Sequence, residues 1–354
     1  MTKRDKPVSR EAPPRGDDHD PNWPLQSDRG RFARRPGEIP LRGWKDILLR
    51  VWKEIDEDRI DLVAAGVAFW LILGLFPALG AIVAVYGLIA DPATLRDHLA
   101  SLDGIVPDGG MEVLEDQVNR LIEQNDSSLS LAALLGFLIA IWSTNTAMKA
   151  LFSALNVAYG EREKRGWIGL TLLTLMFTVA ALVLAVLLLA VIAAVPLALE
   201  FLRLPSDVEW IIFFVRWPLM VVLVMAGLAI LYRYGPSRRD AKWRWVTWGS
   251  ALTAVIWLVV SIGYSWYLAN FTSYDRTYGS LGAVVGFMMW IWVSVLVMLV
   301  GAELNAEMEH QTAVDSTTSE PSRPLGRRGA RMADTVGAAA DASGGDDEPA
   351  QPKR

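Results

Sequence analysis

The chain contains no cysteine, and its 354 residues include only three histidines. The first absence excludes disulfides, thiol nucleophiles and thiolate metal sites. The histidines, His19, His98 and His310, are scattered along the chain, which leaves no close-spaced set with carboxylates for a hydrolytic metal. Also missing are a glycine-rich phosphate loop and a nucleophile elbow. No catalytic residue, cofactor or metal is expected. Charged residues make up 21% of the chain, 34 basic and 39 acidic side chains, and most fall outside a few long apolar runs. A ribonuclease would need a basic, aromatic groove for RNA. The basic residues here are explained by membrane topology, and no nucleic-acid partner is expected.

What is present is length without charge. Residues 62–90 carry no charged side chain, whereas a hydrocarbon core about 30 Å thick is crossed by about 20 apolar residues in a helix. Five similar runs follow at 130–159, 166–199, 210–232, 245–274 and 277–302, interrupted in the second by Lys149 and in the fourth by Arg216. Soluble cores rarely need runs of this length, and barrel strands would alternate apolar and polar residues. The expected fold is an all-α membrane protein, a six-helix transmembrane bundle, with the lipid bilayer as its surroundings.

Lys and Arg are retained on the cytoplasmic side, whereas Asp and Glu carry little topological weight. Basic residues cluster before the first run (Arg42, Lys45, Arg50, Lys53, Arg59), after the second (Arg162, Lys164, Arg165) and after the fourth (Arg233, Arg238, Arg239, Lys242, Arg244). The first-to-second connection has Arg96 and Arg120 among nine acidic residues, and the remaining two carry only Arg203 and Arg276. This alternation places both termini in the cytoplasm.

Residues 1–40 and 310–354 mix Pro, Gly, Ser, Thr, Asp and Arg without apolar periodicity, and both are expected to be disordered and dispensable for the membrane domain at 41–309. No signal peptide is expected, because no short apolar core precedes a small-residue cleavage site. Within 41–61, Trp44, Ile47, Leu48, Val51, Trp52 and Ile55 recur at helical spacing. Two readings fit: an interfacial helix on the inner leaflet, or a face packed on the protein's own loops. A further amphipathic helix is expected at 110–124, as a cap over the outer mouth or packed against helix ends.

The segment WKEIDEDRIDLVAAGVAFWLILGLFP at 52–77 resembles the opening of the YihY/virulence factor BrkB family, in which an acidic run leads into an alanine-rich first helix ending near a proline, here Pro77. The stretch IWSTNTAMKALFSALNVAY at 141–159, the Tyr-Arg-Tyr-Gly-Pro at 232–236 and the Gly-Ala-Glu ending at Glu303 are similar to the same family. The likeness covers about residues 41–309 and departs at Gly74, where the family often has Ser. The resemblance implies a six-helix protein of the bacterial inner membrane. It implies transport or envelope maintenance without an established substrate, and an older label of ribonuclease BN attached to the family is regarded as mistaken.

The polar residues inside the runs are the candidates for a substrate or ion pathway. Lys149 is the sharpest, since a central charge costs about 2.5 to 3.5 kcal/mol on insertion scales. Its side chain leans toward the outer end of its helix. It is expected to face the bundle near Asn145 and Thr146, with Asp61 or Glu303 as a carboxylate partner, either as a structural ion pair or as part of a pathway. Arg216 leans toward the outer surface and is read as snorkelling. Gly279, Gly282 and Gly286 form a small-residue stripe for close helix packing, within the monomer or in a homo-oligomer. Three functional classes remain: a transporter of a small molecule, ion or lipid; a non-catalytic envelope scaffold; and an enzyme, for which no converging site is found.

Overall fold

The computed structural model describes residues 23–89, 129–202, 206–271 and 281–340. Within these the chain is helical, with no strand beyond a single isolated bridge. A helix α1 (Leu41–Glu57) leads into six long ones: α2 (Ile60–Ile89), α3 (Leu129–Ala158), α4 (Trp167–Leu202), α5 (Ser206–Tyr234), α6 (Trp243–Phe271) and α7 (Leu281–His310). A short α8 (Arg331–Asp334) follows. The long helices have 29 to 36 residues, about 45 Å or more at 1.5 Å per residue. Among the described residues, three segments are long and apolar enough to cross a membrane, Trp167–Ala185, Trp243–Leu268 and Val285–His310. The expected helix at 110–124 lies outside the described residues.

Helix α7 is the hub of the fold, packing against α1, α2, α3, α6 and α8. Small residues let α2 and α3 approach closely: Ala64 and Ala68 share the core with Ala154, Leu151 and Leu155, and Thr144 Oγ1 on α3 donates to the carbonyl of Gly74 at 3.2 Å. The glycines at the tightest contact are not those of the expected stripe. A methyl group on Gly249 of α6 would overlap the Asn305 amide of α7, and one on Gly301 of α7 would overlap the Thr253 hydroxyl of α6. Gly286 has only ordinary van der Waals neighbours, Leu268 and Tyr264. Gly279 lies outside the described residues, as do the side-chain surroundings at Gly282.

Helix α1 uses two sides. Ile47 and Val51 are buried and, with Trp44 and Ile55 beside them, pack on Trp245, Leu304 and Met308. Leu48 and Trp52 stay exposed next to Lys45 and Lys53. The helix ends at Asp58, and Arg59 takes a left-handed φ of 51° to turn the chain into α2.

One end of the bundle is closed by the segments expected to be disordered. Residues 23–40 and 311–340 lie across it, and much of their polar content is buried, including Arg31, Gln311, Thr312, Asp315 and Arg328. The C-terminal strap is tied to α1 through Arg50 Nη1 to the carbonyl of Ala338 (2.9 Å) and Ala340 N to Asp46 (3.0 Å). It meets the α3–α4 connection through Arg331 N to Glu161 (2.7 Å), and the α5–α6 connection through Lys242 N to the carbonyl of Ser316 (2.8 Å). The N-terminal segment joins it where Arg31 donates to the carbonyl of Gln311. The expectation of disorder is therefore corrected for 23–40 and 310–340. These stretches are held by charged side chains bonding to backbone groups, a pattern that leaves no apolar period in the sequence. Residues 1–22 and 341–354 lie outside the described residues.

Candidate functional site

The polar end of α7, Gly301 to His310, is wholly buried. Its 3.6-residue period sorts the side chains into separate faces. Ala302 and Ala306 turn to the bundle core, and Leu304 and Met308 pack on Trp245 and α1. Glu303, Glu307 and His310 share a third face, where Glu307 takes an ion pair from Arg50 and lies 3.4 Å from His310 Nδ1. His310 Nε2 in turn meets Thr335 of the strap at 3.0 Å.

Glu303 has no such support. Its side chain is fully buried and, among the described residues, neither carboxylate oxygen has a hydrogen-bond partner. The charged groups acting on it are Asp58, Glu307 and Glu54, all acidic. Buried carboxylates are normally paired or hydrogen-bonded, and Glu303 lacks that compensation.

A second cluster lies on the opposite face. The Asn305 amide, packed against Gly249, also lacks a partner, and the Tyr159 hydroxyl lies close to it, short of hydrogen-bonding geometry. The Arg238 guanidinium stacks over the Tyr159 ring at 4.2 Å and donates to Glu309 at 2.8 Å. Burial opposes the Arg238 charge, but Glu309 and Tyr159 outweigh it and hold its pKa above the ordinary value. Ser316 of the strap donates to the same Glu309 oxygen at 2.9 Å. On the α3–α4 connection, burial opposes ionisation of Glu163, yet hydrogen bonds from Arg165, Asn156 and Ser237 bring it down to about 2.

The other sequence candidates are placed apart from Glu303. Asn145 is buried and accepts from Thr178 of α4 at 3.3 Å, while Thr146 is exposed. Asp61 is exposed, and its backbone carbonyl accepts from the Trp292 indole at 3.1 Å. Lys149 does not meet either carboxylate. Its ammonium lies over the rings of Trp142 (5.6 Å) and Trp167 (5.9 Å), both exposed. The expected pairing with Asp61 or Glu303 is therefore not seen among the described residues, and the amine lies instead beside two exposed indoles. Pro77 and Arg216 stand in α2 and α5, with side chains outside the described residues. Sequence reasoning missed Asn305, Tyr159 and Arg238. The signal available for Asn305 was the run of polar residues closing α7, which breaks an apolar helix without ending it.

The family model for virulence factor BrkB matches residues 51–325. The chain belongs to this family. The match runs past α7 into the strap, so part of the segment that closes the polar end falls within the family's shared extent. A relative named putative ribonuclease-like protein YfkH, from Bacillus subtilis (strain 168), is 27% identical over 254 residues, covering 69% of this chain and 88% of its own length. UPF0761 membrane proteins of Xanthomonas campestris pv. campestris (strain 8004) and Xanthomonas oryzae pv. oryzae (strain PXO99A) are each 28% identical over 265 residues, 73% of this chain. The match spans 59% of the length of each of these Xanthomonas relatives. No solved structure matches the chain. This is a membrane protein of the BrkB/UPF0761 family.

Proposed function

We propose that this BrkB-family chain is a transporter of the bacterial inner membrane, with six spanning helices α2 to α7, both termini in the cytoplasm, and Glu303 as the group that handles a cation or proton. The observation that carries the reading is the buried Glu303 carboxylate, neither oxygen of which has a hydrogen-bond partner among the described residues. A permanent structural carboxylate would be matched by a donor, since leaving one unmatched in a buried site costs several kcal/mol. A group that binds and releases its partner during a cycle need not be matched in every state. Asn145 and Asn305 are further buried polar groups that such a pathway could use. The substrate class on this reading is a small molecule, ion or lipid, and no catalytic step is proposed.

The absence of native cysteine makes the test direct. Glu303→Cys is expected to react with a small, water-soluble, cationic thiol reagent in membrane vesicles, and Glu303→Gln is expected to fold with unchanged or higher thermal stability while abolishing ion flux in dye-loaded proteoliposomes. An unreactive thiol together with wild-type flux in Glu303→Gln would overturn the reading. A non-catalytic envelope scaffold is the second reading, favoured by the folded surface that residues 23–40 and 311–340 build on one end of the bundle.

A further inference from the structure

Lys149 is the single charged residue of α3. Among the described residues no carboxylate or hydrogen-bond acceptor meets its ammonium. The acidic groups on the nearby connection are engaged: Glu161 takes Lys164 and the amide of Arg331, and Glu163 takes Arg165 and Asn156. Helix α4 carries its one acidic residue, Glu200, at the far end from Trp167. The two indole faces compensate only in part. A cation–π contact at an exposed site contributes about 0.5–1 kcal/mol, against about 1.5–3 kcal/mol for a hydrogen bond to a charged group. An ammonium has three donors, and two ring faces leave at least one for an anion.

The surroundings say what kind of anion. Trp167 is the first residue of α4 and follows the basic connection with Arg162, Lys164 and Arg165. Tryptophans at such positions mark the headgroup level of a bilayer. From there an apolar stripe runs along the exposed side of α4 through Ile168, Leu172, Met176 and Val183. A cation at one end of a continuous apolar stripe matches an amphiphile with a charged head and a long chain, and a free inorganic anion would leave the stripe unused.

We propose that the exposed face around Lys149 and α4 binds an anionic membrane phospholipid, its phosphate on Lys149 between Trp142 and Trp167 and an acyl chain along the α4 stripe. This is independent of the role given to Glu303, which lies on α7. It removes Lys149 from the pathway and makes it a lipid-binding residue.

The test is native mass spectrometry of the full chain, stripped of lipid in detergent and offered equal amounts of phosphatidylglycerol and phosphatidylcholine. Wild type is expected to retain phosphatidylglycerol in preference, and Lys149→Met to lose that retention about tenfold, the scale of one charge-assisted hydrogen bond. Lys149→Arg should keep it, and millimolar inorganic phosphate should not displace it. Equal retention by Lys149→Met and wild type, no preference between the two lipids, or full displacement by inorganic phosphate would each overturn the proposal. If Lys149→Met does not give monodisperse protein, Trp167→Leu reports on the same face while leaving the charge in place. It should weaken retention severalfold, and wild-type retention by that variant would overturn the proposal.

Discussion

At the scale of single residues, the α6–α7 contact depends on two positions that tolerate no side chain. Gly249 and Gly301 each face the polar group of the partner helix, Asn305 and Thr253. A methyl group there must push the helices apart or twist a buried side chain off its rotamer, which costs about 1–3 kcal/mol. Gly66 and Gly169 provide the comparison, because nothing lies within 4 Å of a methyl group built on either. We expect Gly249→Ala and Gly301→Ala to lower the apparent Tm in detergent, while Gly66→Ala and Gly169→Ala leave it unchanged or raise it slightly through better helix propensity. Equal Tm values across the four variants would mean that α6 and α7 are not in this close register. The same contact holds Asn305 in its buried position, so the glycines also position a candidate pathway residue.

At the scale of elements, the strap is the part of the fold that sequence patterns did not foretell. The long helices were legible, because an uncharged run of this length has few alternatives to a helix in lipid. The strap was not, because Arg31, Arg328 and Asp315 are polar residues whose burial is made tolerable by specific bonds. Examples are Arg328 to the carbonyls of Ala333 and Ala313, both at 2.6 Å. Lys149 was misread for a related reason: depth along a helix says nothing about which neighbour's ring stands beside it. The α7 carboxylates could be noticed in the sequence, but which of them is paired, Glu307 and Glu309, and which is not, Glu303, depends on Arg50 and Arg238 arriving from distant segments. Deleting the chain after Gln311 removes the Ser316 bond to Glu309, the Thr335 contact with His310 and the strap's bonds to Asp46 and Glu161. It is expected to lower the apparent Tm and to speed proteolysis at residues 23–40. Deleting only 341–354 removes none of these bonds and should leave both readouts unchanged. A strap deletion as stable as wild type would show that the bundle holds its polar end without it.

At the scale of the whole molecule, four separated stretches of sequence meet at one end of the bundle. Arg31 reaches Gln311, Lys164 N bonds to Ser237 at 2.9 Å, Arg331 N bonds to Glu161, and Lys242 N bonds to Ser316. The segment before α1, the α3–α4 connection, the α5–α6 connection and the strap must therefore lie on one side of any membrane the protein crosses. They are also the segments rich in Lys and Arg, which are retained in the cytoplasm. Contact geometry and charge distribution are independent observations, and both support an even number of crossings between residues 23 and 340. Reporter fusions after Arg239 and after Gly326 are accordingly expected to read cytoplasmic. Fusions near Gly109 and near Asp275, which lie in connections outside the described residues and poor in basic side chains, are expected to read external. A cytoplasmic reading near Gly109 would remove the crossing by α2 or α3 and, with it, the proposed six-span arrangement with Glu303 at the inner end of a transport path.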